Sequence, residues 1–248
     1  MTLLRSAIFF VWFLFVSVTL CLLAVPLLLG PRRGAGYLGA FWSRLVFWGL
    51  RVFAGTRYEV RGPRPPNGVL IAIKHMSMWD TCAIYTLLDD PAIVLKRGLL
   101  LIPFYGWYLW KAGMIPIARE GGASTLRAMV AAAKAELARG RSVVIFPEGT
   151  RKKPDAPPDY KPGVAGLYGQ LGLPCVPVAL NSGVFWTGFI KHPGTIVIEF
   201  LAPIPAGLPR REFMPRLEAE IEAATRKLVA EGERELAGRR VQSREEHV

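Results

Sequence analysis

A histidine and an aspartate stand five positions apart in the segment KHMSMWD, directly after the apolar run VLIAI. Within one helix, His75 and Asp80 would be about 140° apart and could not meet. Ser77 and Asp80, however, form an S-x-x-D pattern that predicts a helix with Ser77 as its N-cap, which leaves His75 in the preceding loop. Asp80 would then accept a hydrogen bond from one ring nitrogen while the other takes a proton from an alcohol. The alternative is that Asp80 only caps the helix and that His75 is a structural loop residue.

The segment FPEGTR, which follows the apolar run SVVI, is a second group of residues suited to binding. It places the carboxylate of Glu148, the flexible Gly149, the hydroxyl of Thr150 and the guanidinium of Arg151 next to one another. Arg151 suits a phosphate because its planar fork can bind two oxygens at once. The alternative is an ordinary polar turn with an exposed arginine.

Two further segments share this position at the end of a predicted strand. GMIPIAR ends in Arg119, whereas VPVAL, residues 176–180, carries no reactive group. The ends of strands are where open α/β sheets place their sites. A His–Asp pair without a serine or cysteine nucleophile favours direct attack by a hydroxyl group of the substrate.

The elements that position these segments alternate along the chain from residue 58 onward. Strands are predicted at residues 58–61 and 69–73 and in AIVLK, GMIPIA, SVVIF, CVPVAL and TIVIEFLAP. Helices are predicted at residues 78–88 and 124–139. A polar C-terminal helix carries Phe213, Leu217, Ile221 and Leu228 on one face. This alternation predicts an α/β fold with a central mixed β-sheet flanked by helices.

An uncharged stretch at residues 6–30 precedes these elements. As a helix it would be about 37 Å long, enough to cross a hydrocarbon core of about 30 Å. It is longer than the apolar region of a signal peptide and ends in PLLLGPRR, so an anchor is favoured over a signal peptide. Pro26 could kink the helix, which leaves both a full span and a re-entrant segment open. The arginines after it place the rest of the chain in the cytoplasm.

A second segment, residues 37–54, is both aromatic and basic. Arg44 and Arg51 share one helical face, and the aromatic residues lie largely elsewhere. Such a helix suits the membrane interface, with its arginines towards lipid phosphates. The alternative is an ordinary amphipathic helix packed on the core. We therefore expect membrane-anchoring helices at residues 1–56 and an α/β domain at residues 57–248.

The chain carries a formal net charge of +12, from 31 lysines and arginines against 19 aspartates and glutamates. This excess predicts an anionic partner, either a membrane surface, a phosphorylated substrate or nucleic acid. No nucleic-acid recognition motif accompanies the charge, which makes a nucleic-acid binder the least favoured class. Cys21, Cys82 and Cys175 are far apart, which argues against a disulfide framework and a cysteine–histidine zinc site.

In this order and spacing, HMSMWD, GMIPIAR, FPEGTR and VPVAL resemble the four motif blocks of the H-x4-D glycerolipid acyltransferases. The resemblance is greatest to the 1-acyl-sn-glycerol-3-phosphate acyltransferase (lysophosphatidic acid acyltransferase) family. It covers residues 58–205, including the intervening VLKRGLLLIPFYGWYLWKAG. H-x4-D alone is a weak signal, but its combination with FPEGTR is a strong one. The second block departs from the family pattern because Ala118 stands where a carboxylate often precedes the arginine.

The resemblance implies transfer of a fatty acyl chain from acyl-CoA or acyl-ACP to the sn-2 hydroxyl of 1-acyl-sn-glycerol-3-phosphate, forming phosphatidic acid. It implies that His75 is the general base and Asp80 its orienting partner. The acceptor would be bound by Arg119, Glu148, Gly149, Thr150 and Arg151, with the arginines on its phosphate and Lys96 as a further phosphate contact. No metal is expected, and no cofactor beyond the acyl thioester co-substrate.

The N-terminal segments predict membrane lipids as partners and a location at the cell membrane, and the arginines after residue 30 predict that the acyltransferase domain is on the cytoplasmic face. Two alternatives remain open. The acceptor could be another lysolipid, such as a lyso-ornithine lipid or another lysophospholipid, or the chain could be a non-catalytic membrane-binding protein. The presence of His75, Asp80, Glu148 and Arg151 argues against the second.

Overall fold

The computed structural model describes residues 1–118 and 122–245. The strands are β1 (Thr56–Arg61), β2 (Leu70–Ile73), β3 (Ala92–Lys96), β4 (Ile115–Ile117), β5 (Val143–Ile145), β6 (Cys175–Leu180), β7 (Trp186–Thr187), β8 (Ile190–Lys191) and β9 (Gly194–Phe200). The α-helices are α1 (Thr2–Leu23), α2 (Arg32–Gly49), α3 (Met78–Leu87), α4 (Tyr105–Lys111), α5 (Gly122–Leu137), α6 (Gly163–Leu171), α7 (Ser182–Phe185) and α8 (Arg210–Glu245). Short turns of 3-10 helix lie at Val25–Leu29 and Arg97–Leu101, and one π-helical turn lies at Leu50–Ala54.

The central sheet has seven strands in the order β1-β9-β6-β2-β5-β3-β4. Strands β6, β2, β5, β3 and β4 run parallel to one another, whereas β9 is antiparallel to β6 and parallel to β1. The prediction of a mixed sheet flanked by helices is thereby confirmed. Because the five parallel strands end at one edge, the loops that follow them meet there.

Each predicted strand is present, with ends that differ from the prediction by a few residues. Helices α4, α6 and α7 and the β7–β8 hairpin were not predicted. Helix α4 has the sequence YGWYLWK, which is short and aromatic on several sides. Its sequence therefore lacks the 3.6-residue alternation by which a surface helix is detected.

The sheet is covered on both faces, and β2 shows how one strand serves both. Ile71 and Ile73 face a cluster that includes helices α2 and α3, while Leu70 and Ala72 face a cluster that includes helices α5, α6 and α8. A strand buried on both faces reads as a continuous apolar run, which is the pattern of VLIAI. The strand that precedes the histidine is therefore rigidly held.

The long C-terminal helix packs on the sheet through the face that its sequence predicted. Phe213, Leu217, Ile221 and Leu228 are all buried. The polar residue Glu222 on the same helix is buried as well. Helix α8 therefore contributes both apolar surface and charge to the interior.

The two N-terminal helices pack on each other and on the α/β elements. The Trp12 and Trp48 rings lie 4.9 Å apart between α1 and α2, and Phe9 meets Trp186 of the hairpin edge to face at 5.5 Å. Phe47 of α2 stacks on Trp79 of α3 at 5.3 Å. The inner face of α2 is thus a core-packing surface, as the alternative interpretation of residues 37–54 had it, while Arg44 and Arg51 are exposed.

Helix α1 is long and apolar enough to cross a membrane. Its most apolar 18-residue window has a mean hydropathy of 2.5, and 17% of that window is buried. Its remaining surface is a band of exposed apolar side chains. These include Leu3, Leu4, Ile8, Phe10, Val11, Leu14, Phe15, Val18, Leu22 and Leu23.

Candidate active site

The predicted histidine–aspartate pair is formed at the carboxyl end of β2. The Nδ1 atom of His75 lies 2.9 Å from Oδ2 of Asp80. His75 lies in the loop between β2 and α3, and Asp80 lies in the first turn of α3. This is the geometry that the S-x-x-D pattern predicts.

The local sequence brings the two side chains together through a capping box. Ser77 is the N-cap of α3, and its hydroxyl accepts the N–H of Trp79 at 3.1 Å. In return, Oδ2 of Asp80 accepts the N–H of Ser77 at 2.9 Å and that of Met76 at 2.7 Å. The carboxylate that caps the loop is thus the same one that holds the imidazole, so capping and orienting His75 are not alternatives.

The other oxygen of Asp80 is held by a residue that the sequence analysis did not single out. Ser182, the first residue of α7, donates its hydroxyl to Oδ1 of Asp80. Its Oγ also lies 2.9 Å from Oγ of Ser77. Ser182 stands two positions after the segment VPVAL, which forms the end of β6. Because β6 lies beside β2, the rule that functional sites follow strand ends also points to Ser182.

The imidazole of His75 is packed on one side and hydrogen-bonded on the other. The ring of Phe146 stacks on it at a centroid distance of 3.9 Å and an interplanar angle of 24°. The His75 side chain is 11% exposed, whereas that of Asp80 is fully buried. With Nδ1 donating to a carboxylate, Nε2 is the nitrogen whose lone pair can accept a proton.

The FPEGTR loop lies against the histidine. Its turn is closed by the N–H of Gly149 on the carbonyl of Phe146 at 2.9 Å, and Gly149 has a φ of 64°, a left-handed conformation that favours glycine. The N–H of Lys152 donates to the carbonyl of His75 at 2.8 Å. Thr150 and Arg151 are exposed on this loop.

Glu148 is turned inwards, unlike the exposed Thr150 and Arg151 of the same loop. Its side chain is fully buried, and Oε1 accepts Nζ of Lys74 at 2.8 Å. The same ammonium lies 2.7 Å from Oε1 of Glu222 on α8. Burial raises the pKa of Glu148, and the hydrogen bond from Lys74 opposes that rise. A contact of Glu148 with an acceptor stays a prediction.

The positive charge of Arg151 acts on two buried groups, one in α3 and one in α4. Burial raises the pKa of the Cys82 thiol to about 12, with the nearby Asp80 charge adding to the rise and Arg151 among the groups that oppose it. Burial likewise raises the pKa of Tyr105 to about 12, again opposed by Arg151. The charge of Arg151 is therefore felt at the helix that carries Asp80.

Of the two other predicted phosphate contacts, Lys96 lies at the same edge of the sheet. Lys96 is exposed at the end of β3. Arg119 follows the end of β4 in sequence but lies outside the described residues. Within the described ranges, no group of three histidine, cysteine, aspartate or glutamate side chains could hold a metal ion.

This arrangement suits transfer of a group to an alcohol. A neutral imidazole, fixed by a buried carboxylate, can take the proton of a hydroxyl group placed at Nε2. An exposed arginine on the adjoining loop can hold an anionic part of the same molecule. Flanking this loop, Lys152 and Lys161 lie 3.3 and 2.7 Å from the carboxylate of Asp159 and add positive charge that the sequence analysis did not consider.

Comparison with known proteins gives a consistent result. The family model described as acyltransferase matches residues 57–181. A 1-acyl-sn-glycerol-3-phosphate acyltransferase of Pseudomonas aeruginosa is 37% identical over 201 residues, which are 79% of this chain and 76% of that one. An Escherichia coli protein of the same name is 24% identical over 229 residues, 90% of this chain and 92% of that one. The crystal structure of the 1-acyl-sn-glycerophosphate acyltransferase PlsC from Thermotoga maritima superposes with a TM-score of 0.72 over 92% of this chain and 98% of that one, at 19% identity. That likeness supports the fold.

Proposed function

The chain belongs to the acyltransferase family, and we propose that it acylates the sn-2 hydroxyl of 1-acyl-sn-glycerol-3-phosphate to form phosphatidic acid. The donor is an acyl thioester, either acyl-CoA or acyl-ACP. The observation that carries the proposal is the buried carboxylate of Asp80 on Nδ1 of His75, which leaves Nε2 as a base for an alcohol. The relatives from Pseudomonas aeruginosa and Escherichia coli, named for this acceptor, support the choice of lysolipid.

The reaction follows from the geometry at His75. Nε2 removes the proton of the acceptor hydroxyl as its oxygen attacks the thioester carbonyl, forming a C–O bond. Collapse of the tetrahedral intermediate breaks the C–S bond, and the imidazolium returns the proton to the departing thiolate. The buried charge of Asp80 stabilises the imidazolium between these steps, and the fixed capping box keeps the ring oriented.

The phosphate of the acceptor is bound by the arginine of the FPEGTR loop. Arg151 is exposed beside the loop of His75, and its planar fork fits a phosphate monoester. Thr150 and Gly149 form the same turn, Lys96 is the last residue of β3, and Arg119 follows β4 in sequence. The acceptor hydroxyl and its phosphate would thus be held by two loops that touch each other through Phe146 and His75.

The substrate reaches this site from a membrane surface. Helix α1 offers an exposed apolar band, and Trp107 and Trp110 of α4 are exposed as well. An open cavity of about 360 Å³, lined by Leu28 and both tryptophans among others, joins α4 to the turn after α1. The Tyr108 hydroxyl ties α4 to the carbonyl of Cys21 at 2.9 Å. A continuous apolar surface of this kind suits insertion into one leaflet, with the α/β domain on the cytoplasmic face.

An acceptor panel with the purified full-length chain in phospholipid vesicles tests the proposal. The panel contains lysophosphatidic acid, lysophosphatidylcholine and a lyso-ornithine lipid, each with acyl-CoA and with acyl-ACP, and products are measured by mass spectrometry. We expect phosphatidic acid as the main product, and His75→Ala as the matched inactive control. Preference for a lysolipid without a terminal phosphate would overturn the acceptor while leaving acyl transfer standing. If none of the combinations of acceptor and donor yields an acylated product, the enzymatic function is overturned.

A further inference from the structure

A buried cluster of three charges lies next to the candidate active site. The ammonium of Lys74 lies 2.8 Å from Oε1 of Glu148 and 2.7 Å from Oε1 of Glu222. Lys74 is 2% exposed, Glu148 1% and Glu222 8%. Lys74 also immediately precedes His75, and its N–H is held by the carbonyl of Val178 in β6. The cluster therefore starts in the loop that carries the base, directly after β2.

Stability alone does not account for this cluster. Buried ion pairs are costly to desolvate, and apolar residues of similar size often replace them without loss of stability. Two carboxylates here share one ammonium, and Oε2 of Glu148 has no hydrogen-bond partner among the described residues. Burial raises the pKa of Glu148, and the nearby carboxylate of Glu222 adds to the rise. What the cluster provides is a fixed geometry between elements.

The elements that it joins are distant in sequence. Glu148 belongs to the FPEGTR loop, three positions before Arg151, and Glu222 belongs to α8. Tyr160 adds a second link, because its hydroxyl donates to Oε1 of Glu222 at 3.0 Å and its ring lies 5.9 Å from the Lys74 ammonium. The connection from β5 to α6 is thus fastened on both sides of Arg151, at Glu148 and at Tyr160.

We propose that Lys74 and Glu222 are positioning residues for the acceptor, holding the loop that carries Arg151 at a fixed distance from the His75 base. Helix α8 lies beyond residues 57–181, which the family model matches, and acts on the site through Glu222. The inference rests on the proposed binding of the acceptor phosphate by Arg151. Neither Lys74 nor Glu222 contacts the substrate in this arrangement.

Steady-state kinetics of Glu222→Ala and Glu222→Gln test the proposal, with Michaelis constants measured separately for lysophosphatidic acid and for the acyl thioester. A misplacement of about 1 Å can cost roughly 100-fold in rate, so we expect a 10- to 100-fold lower kcat/KM for Glu222→Ala. That loss should appear mainly as a higher KM for the acceptor, with the donor KM unchanged. Glu222→Gln keeps an oxygen near Lys74 and Tyr160 and should lose less. Glu220→Ala, which removes only the surface pair with Arg216 on the same helix, is the matched control.

A double-mutant cycle separates positioning from simple destabilisation. If Glu222 acts through the Arg151 loop, adding Glu222→Ala to Arg151→Ala should raise the acceptor KM little further. An acceptor KM within twofold of wild type in folded Glu222→Ala, judged by circular dichroism, would overturn the inference. If Glu222→Ala does not fold, Glu222→Gln and Tyr160→Phe take its place. An acceptor KM equal to that of the wild type in both variants would then overturn the inference. If Arg151→Ala leaves the KM for lysophosphatidic acid unchanged, the assignment of Arg151 to the acceptor phosphate in the proposed function is overturned, and the inference with it.

Discussion

The Nδ1 atom of His75 lies 2.9 Å from Oδ2 of Asp80, and this oxygen also accepts the backbone N–H groups of Met76 and Ser77. One carboxylate oxygen thus fixes both the ring and the loop that presents it. Because the carboxylate is fully buried, water does not compete for these bonds. The imidazole is therefore oriented before any substrate arrives.

Replacing the base should remove nearly all activity. General-base catalysis contributes about 10²- to 10⁴-fold, so His75→Ala should lower kcat by that factor while circular dichroism stays at wild type. His192→Ala, in the loop before β9 and two strands away from β2, is the control histidine. Retention of more than about a tenth of the wild-type turnover by His75→Ala would rule out the base mechanism.

Ser182→Ala should impair turnover without weakening substrate binding. Ser182 donates to Oδ1 of Asp80, and a hydrogen bond to a charged group contributes about 1.5–3 kcal/mol. Because the donors on Oδ2 remain, we expect the lower end of that range, roughly a tenfold fall in kcat with both Michaelis constants unchanged.

Ser142→Ala provides the matched comparison for Ser182→Ala. Ser142 is a buried serine directly before β5, at the edge of the sheet away from the site. Wild-type kcat in Ser182→Ala, or an equal loss in Ser142→Ala, would contradict a role for Ser182 in holding Asp80.

The local part of the site could be predicted from sequence, and the long-range part could not. His75, Ser77 and Asp80 lie within one capping box, whose geometry is set by residues next to one another. Ser182 reaches Asp80 only because β6 lies beside β2, and Glu222 reaches Lys74 only because α8 folds back on the sheet. No periodicity in the chain encodes which strands are neighbours or which polar residue of a helix turns inwards.

Arg151→Ala should weaken binding of the acceptor selectively. Losing one charge-assisted contact of about 1.5–3 kcal/mol should raise the KM for lysophosphatidic acid roughly 10- to 150-fold. The KM for the acyl thioester should stay near wild type. Arg151→Lys should restore binding only in part, because the planar fork is lost.

A charge control keeps the Arg151 result interpretable. Arg64 is exposed in the turn before β2, so Arg64→Ala removes the same charge away from the strand ends that carry the site. If Arg151→Ala changed the KM of the donor and left that of the acceptor alone, the basic loop would serve the phosphates of the donor.

The tryptophans of α4 should contribute to membrane binding. A large aromatic side chain buries about 150–250 Å², so moving roughly half of it out of water is worth about 2 kcal/mol, or about 30-fold in binding, per residue. Trp107→Ser combined with Trp110→Ser should reduce flotation with phosphatidylglycerol-containing vesicles. Turnover of a short-chain, soluble lysolipid should be unchanged.

Membrane binding is tested with substitutions and not by deleting the N-terminal helices. Deletion would also remove Phe47 of α2, which packs on Trp79 beside the catalytic turn. Val241→Ser, on an exposed part of α8, is the apolar-to-polar control for vesicle binding. Undiminished flotation of the double tryptophan variant would show that α4 does not face the lipid.

The buried Glu148 should make stability depend on pH in a defined direction. Burial raises the pKa of this carboxyl above its ordinary value of 4.5, so between 4.5 and the folded-state pKa the folded chain binds more protons than the unfolded chain. The contribution of Glu148 is then fully present below pH 4.5 and is lost as the pH rises through the folded-state pKa. The free energy of unfolding of the wild type should therefore fall relative to that of Glu148→Gln as the pH is raised.

Denaturant titrations of both proteins in one mild detergent, from pH 4.5 to pH 8, measure this difference. Glu148→Gln also changes the hydrogen bond from Lys74, but this effect is the same at every pH. It therefore does not alter how the difference in the free energy of unfolding between the two proteins varies with pH. The other titratable groups that face Glu148, namely Lys74, Glu222 and Tyr160, are common to both proteins. Glu220→Gln, at the partly exposed pair with Arg216 on α8, should show no such trend against wild type. A difference that stays flat, or that grows in favour of the wild type as the pH rises, would show that Glu148 is held as a fully ionised partner of Lys74.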